Sequence, residues 1–198
     1  MIRSIAALVI AATSAAVLAQ TAPTRIRGTL EQVDGNLLTI KARSGEVMKV
    51  KVPDDVVVVG IAKASMADIG NGKFIGTTTV GQKDGAMVAE EVHIFPESMR
   101  GTGEGHRDWD LRPESKMTNA NVANVTSMGK DRVLTVQYKG GEKKVLVPDN
   151  AVIVAFTPTD RGELKPGAKI FTIAQRQPDG TLTAARVNVG LKGQVPPM

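Results

Sequence analysis

The run VPDDVVVV (Val52–Val59) recurs 95 positions later as VPDNAVIV (Val147–Val154). Held at that offset without a gap, Val52–Ile94 lies on Val147–Val189 with 13 of 43 positions identical. Upstream, after a one-residue shift, LTIKARSGE (Leu38–Glu46) lies on LTVQYKGGE (Leu134–Glu142). A chain that repeats itself at this length builds two related units. The copies are expected at 25–95 and 121–191. A connecting strap at 96–120 joins them, and a tail at 192–198 follows.

Each copy reads as short strands. IRGTLEQV, LLTIKAR, VMKVKV, KFIGTTTV and MVAEEVHI are rich in β-branched residues and bounded by turn residues. KDG (Lys83–Gly85) and PDG (Pro178–Gly180) fit hairpin turns. In MVAEEVHI the apolar phase slips after Ala89, and in the second copy it slips at the same place, after Ala184. A repeated slip predicts a β-bulge. SMAD (Ser65–Asp68) and DRGE (Asp160–Glu163) carry a capping pattern for one short helix per copy, with Gly72 and Gly167 beyond it. Three strands, a short helix and two strands is the order of an OB-type barrel. The expectation is therefore all-β, with two tandem homologous OB-like small β-barrels after an N-terminal signal peptide. One continuous β-sandwich shared by both copies is the alternative.

That signal is read from MIRSIAALVIAATSAAVLAQ: Arg3, a short apolar run, then small residues to Ala19. Cleavage after Ala19 leaves roughly 180 residues, enough for one large core or two small ones. No later segment is apolar enough for a span of about 20 residues, so the mature chain is expected without a stable membrane span, periplasmic or secreted. With no cysteine there are no disulfides and no thiolate metal sites. The net charge is +5, falling to +4 without Arg3, with bases and acids interspersed. The aromatics are four Phe, one Tyr and one Trp, too few for the base-stacking groove of a single-strand binder. No nucleic-acid partner is expected.

The phrases RGTLEQVDGNLLTI, VPDD, ASMADIGNGKFIG and KDGAMVAEEVHI resemble an exported bacterial domain family of unknown function. The resemblance runs from Arg27 to about Ile94 and is looser in the second copy. It implies tandem OB-like β modules and an exported location, and it supplies no catalytic residues. Relatives sharing the segment around GTGEGHRDWD carry a metal-transporter permease label, which a chain without several apolar spans does not fit.

What both copies share, such as Pro53/Pro148, Asp54/Asp149 and Asp84-Gly85/Asp179-Gly180, reads as turn scaffold. The largest difference is the segment PESMRGTGEGHRDWDLRPESKMTNA (Pro96–Ala120). A flexible linker has no need of a tryptophan. One reading is a packed strap, with Trp109 plugging the seam and Arg100, Arg107 and Arg112 paired with carboxylates. A second is a ligand site on Arg100, Glu104, His106, Arg107, Asp108, Trp109, Asp110 and Arg112, for which Arg forks would suit a carboxylate or phosphate. No cofactor is expected otherwise; a third reading is a divalent metal held by His106, Glu104 and Asp108 with His93. His93 alternates with Val92 and Ile94, so its side chain is expected on the outer face, and its counterpart Asn188 is a poor ligand. A hydrolase on Glu104, His106 and Asp108 lacks a nucleophile motif and sugar-stacking aromatics. The sequence therefore reads best as an exported non-enzymatic binding or scaffold protein, acting on an envelope protein or small ligand. A divalent-metal-binding accessory protein is the alternative.

Overall fold

The computed structural model describes residues 22–197. The leader read at 1–19 lies outside them. The described chain is all-β, in this order: β1 (Thr24–Asp34), β2 (Leu37–Ala42), β3 (Val47–Lys51), β4 (Val57–Lys63), β5 (Phe74–Lys83), β6 (Ala86–Ile94), β7 (Gly105–Asp108), β8 (Lys116–Met128), β9 (Asp131–Tyr138), β10 (Gly141–Val147), β11 (Val152–Pro158), β12 (Lys169–Arg176), β13 (Leu182–Thr183) and β14 (Arg186–Gly190). No helix among the described residues is long and apolar enough to cross a membrane.

The strand pairing crosses between the copies. β8, β9 and β10 of the second copy close a five-stranded barrel with β5 and β6 of the first, through β8–β5 and parallel β10–β6 ladders. Conversely β1, β2 and β3 close a ring with β12 and β13 of the second copy, through β1–β12 and a short parallel β3–β13 contact. Copies 25–95 and 121–191 are thus repeats of sequence, while each ring is shared by both. β4 and β11 form the antiparallel seam.

The exchange obeys the 95-residue offset. Val145 faces Met87, and Val50 faces Leu182. Val152 faces Glu91, and Val57 faces Arg186. Swapping copies turns each pair into the other, so a pseudo-twofold axis relates the halves. Ile61 opposite Phe156 is its own image and marks the axis.

Three apolar clusters follow from this. One joins Ile26, Leu30, Leu38, Ile40 and Val50 to Ile170, Leu182 and Val187. The second joins Ile75 and Val92 to Val122, Leu134, Val136 and Val145. The third lies on the seam, with Val59, Ile61, Phe74 and Phe95 against Val154, Phe156 and Phe171. The runs VVVVGIAK and VIVAFTP, given no strand of their own in the sequence reading, are β4 and β11. They are nearly continuous in apolar residues; Val58, Val59, Ile61, Val154 and Phe156 are buried, while Val57 and Val152 at the strand starts are exposed.

The local signals are realised, except that in the second copy the phase slip interrupts the strand, β13 ending at Thr183 and β14 starting at Arg186. Between Thr78 and Thr79 the register shifts so that they face Glu91 and Ala89, which leaves Glu90 as the extra residue of a bulge. The short helices are single 3₁₀ turns at Met66–Asp68 and Arg161–Glu163. Ser65 N donates to Asp68 Oδ2 at 2.8 Å, and Gly162 N donates to Asp160 Oδ1 at 2.7 Å. The connecting segment is shorter than 96–120. Lys116–Ala120 is already strand β8, with β5 on one edge and β7 on the other.

Candidate functional site

The segment from Pro96 to Ser115 crosses the seam as an ordered strap. A 3₁₀ turn at Glu97–Met99 opens it, and β7 pairs with the start of β8. Ser115 then closes the loop behind Trp109. Trp109 N donates to Ser115 O at 2.9 Å, and Ser115 Oγ lies 2.9 Å from Trp109 O and 2.7 Å from Arg112 O.

Beneath the strap lies a cavity of about 170 Å³. Phe95, Phe156, Phe171, Met117 and Ile173 supply its apolar lining. Phe95 meets Phe156 edge-on at 4.7 Å between centroids, and Trp109 tilts over Phe171 at 6.5 Å. His93, Asn119, Asn188, Trp109 and Thr102 add polar atoms, and the exposed Arg107 and Arg186 line it as well. His93 and its equivalent Asn188 share the cavity, so it straddles the pseudo-twofold axis.

His93 is not on an outer face. It is 1% exposed, because β5 and β11 flank its strand and the strap covers the seam. Its Nε2 lies 3.2 Å from Glu91 Oε2, which also accepts from Thr78 Oγ1 at 3.1 Å. Glu91 is itself 5% exposed. Across the site, Gly76 makes room. A Cβ there would sit 2.7 Å from Asn119 Oδ1 and 3.3 Å from His93 Nδ1.

Two buried polar atoms in this site bond to no protein group: Trp109 Nε1 and Asn119 Oδ1. The other end of the Asn119 amide is committed, since Nδ2 donates to Thr102 O at 2.9 Å. A buried donor or acceptor without a partner costs about 1–3 kcal/mol, so such atoms mark places built to meet something else.

The residues singled out on the strap disperse. Arg100 donates to Glu97 Oε2 (2.7 Å), to Gly72 O (2.8 Å) and to Asn121. Glu104 accepts from Lys139 N at 2.9 Å. His106 Nδ1 lies 2.8 Å from Thr118 Oγ1, and burial, then Lys143 and Lys116, hold its imidazole below the ordinary range. Asp108 pairs with Lys116 and Arg112 with Glu90. Arg107 donates to Gly103 O at 2.7 Å while lining the cavity. Trp109 is half-buried, with the Arg25 guanidinium 4.4 Å from its ring centre. Glu104, His106 and Asp108 therefore do not meet, and His93 is occupied with Glu91. Among the described residues no group of three His, Cys, Asp or Glu side chains is placed to hold a metal.

Asp110 fastens the strap to β1. It accepts from Arg27 Nη2 at 2.8 Å, with Arg25 Nη1 at 3.7 Å. Burial pushes the Asp110 carboxyl up, but the Arg27 hydrogen bond and the charges of Arg27 and Arg25 outweigh it, so the group sits below the ordinary carboxylate range. A depressed folded value contributes stability above the unfolded value, near pH 4, and loses it as the pH falls through the folded value. Solvent screens this pair, so Asp110→Asn is expected to cost under about 1 kcal/mol at pH 7. Chemical denaturation of both proteins across pH checks this: the gap closes in acid. A gap that persists at low pH would mean the carboxylate charge is not the cause.

Sequence reasoning missed Phe156, Phe171, Arg186 and Asn119, and it discounted Asn188. A signal for most of them was present. At the 95-residue offset the cavity residues stand opposite unlike partners: Ile61/Phe156, Gly76/Phe171, His93/Asn188, Glu91/Arg186 and Phe95/Gly190. Compared with protein families, with curated proteins and with solved structures, this chain matches none.

Proposed function

We propose that this chain is an exported, non-enzymatic binding protein of the bacterial envelope, with its ligand site in the cavity between two OB-like barrels. The observation that carries this is the cavity itself. It combines a wall carrying three phenylalanines and Trp109 with one unsatisfied buried donor and one unsatisfied buried acceptor. Small-molecule sites are apolar concavities with a few placed polar groups. The volume is well under that of a drug-sized pocket, about 300 Å³ or more. It is close to the roughly 150 Å³ engineered cavity that takes up benzene, so the ligand has the size of a single ring.

The remaining support is of other kinds. The leader at 1–19 supports export. The strand order of each copy and the family resemblance support OB-like modules, and such barrels bind ligands on a sheet face and its loops. Fold by itself does not assign function, so the assignment rests on the cavity. The strap is then the cover of the site as well as the tie between halves.

Trp109 is the only tryptophan, so selectively excited tryptophan emission reports this cavity alone. The test is a screen of single-ring compounds against the mature protein, read by Trp109 emission and by thermal unfolding. At about 100 times its Kd, a ligand of the native state adds about 2.7 kcal/mol. Thr102→Trp, designed to fill the cavity, is expected to lose the thermal response. A wild type that responds to nothing, or a filled variant that responds equally, overturns the reading.

A further inference from the structure

We infer that the seam cavity takes a small aromatic hydroxy acid: one ring, one carboxylate and one hydroxyl. This rests on the cavity being the ligand site and adds the chemistry of its occupant.

The ring follows from the walls. Phe95, Phe156, Phe171 and Trp109 surround a space of about 170 Å³. Planar faces at offset or edge-on angles are the preferred neighbours of another ring. The second copy places Phe171 where the first has Gly76, which gives one side a ring wall and the other clearance.

The carboxylate follows from the charges. Arg107 and Arg186 both line the cavity, and neither joins an ion pair among the described residues. Of the two acids that flank Trp109 in sequence, Asp110 is engaged by Arg27 and Arg25 and Asp108 by Lys116. Glu91 is engaged by His93 and Thr78. Positive charge is thus left over at the cavity. A guanidinium fork suits a planar carboxylate. Trp109 Nε1, a donor with no acceptor, offers the same anion an N–H.

The hydroxyl follows from the opposite wall. Asn119 Oδ1 is a buried acceptor with no donor, and its amide cannot turn round without giving up the bond to Thr102 O. His93 Nδ1 lies beside it over Gly76. A buried acceptor on an apolar wall calls for a donor, and an O–H supplies one. A site built to bond a hydroxyl rejects the analogue that lacks it far more strongly than a site built on apolar contact alone.

The experiment uses the whole mature protein and four probes: 4-hydroxybenzoate, benzoate, 4-hydroxybenzamide and acetate. Affinity is read by calorimetry and by Trp109 emission. The expected order puts 4-hydroxybenzoate first. Benzoate and 4-hydroxybenzamide each bind at least tenfold more weakly, and acetate shows no saturable binding. Arg186→Gln, at an exposed side chain, is expected to weaken 4-hydroxybenzoate about tenfold and leave 4-hydroxybenzamide unchanged. If the amide binds as well as the acid, the anion is wrong and the cavity reading stands. Benzoate binding as well as its hydroxylated form overturns the hydroxyl, again leaving the cavity reading intact. If only compounds outside this class respond in the screen, the class is wrong. Should no compound of any class respond, the cavity reading fails with it.

Discussion

Residues 22–100 and 101–197, prepared separately, are each expected to show no cooperative unfolding as monomers, and mixing them is expected to restore one transition. The cut divides both rings. The first half keeps Ile26, Leu30, Leu38, Ile40 and Val50, but loses Ile170, Ala174, Leu182, Val187 and Val189, which complete their cluster. It also keeps β5 and β6 without the three strands that close the barrel around them. Each fully buried aliphatic side chain contributes about 1.5–3 kcal/mol. Losing five from a single cluster reaches the about 5–15 kcal/mol that holds a whole domain. Circular dichroism with size-exclusion chromatography gives the answer. A homodimer of one half that unfolds cooperatively would still exchange strands and would agree with this account. A cooperatively folded monomer of residues 22–100 would show that each copy can close its own barrel, and the exchange would then be incidental.

Phe156→Ala is expected to cost about 3–5 kcal/mol, and Ile61→Val, at the facing position, about 0.5–1.5 kcal/mol. Phe156 stands on the pseudo-twofold axis, where it packs edge-on to Phe95 and stacks on His93 at 5.8 Å between ring centres. Truncation removes that ring from the seam cluster and enlarges a cavity that already exists there. The surrounding strands are held by ladders on both sides and cannot collapse into the gap. The loss therefore includes the cavity contribution as well as the lost apolar burial. Denaturant unfolding of the two variants measures it. A loss under about 1 kcal/mol for Phe156→Ala would mean that the seam is not a packed core. The screen for single-ring ligands should fail with this variant too, since the ring wall is gone.

The strap shows how far the sequence could lead. Its tryptophan, with three arginines among acids, predicts a docked segment and not a loose linker. In the structure Arg100 meets Glu97, Arg112 meets Glu90 and Asp110 meets Arg27, while Arg107, expected opposite a carboxylate, donates to Gly103 O instead. The same residue types read equally well as metal ligands, because Glu104, His106 and Asp108 are adjacent in sequence. Adjacency is a poor guide on a strand and its turns. Glu104 turns to Lys139, while His106 and Asp108 reach Thr118 and Lys116. His93 was misplaced for a related reason. Alternation tells which residues share a face, but not whether a second layer covers the other face.

The duplication, the all-β class, the phase slip that becomes a bulge in the first copy, and the capped turns at Ser65 and Asp160 can all be read along the chain. These depend on neighbours a few residues apart or on self-similarity, and both are visible in one dimension. Tertiary structure alone decided which copy each strand joins. In the two copies equivalent strands carry nearly the same apolar pattern, so β5 and β6 can satisfy β8–β10 as readily as their own β1–β3. A strand's own pattern does not say which of two equivalent partners it takes, so the pairing is decided only when the whole chain packs around the β4–β11 seam. The cavity follows from that exchange. It exists because the pseudo-twofold axis brings unlike residues from equivalent positions to one point, Phe156 against Ile61 and His93 beside Asn188, under a strap that has no equivalent.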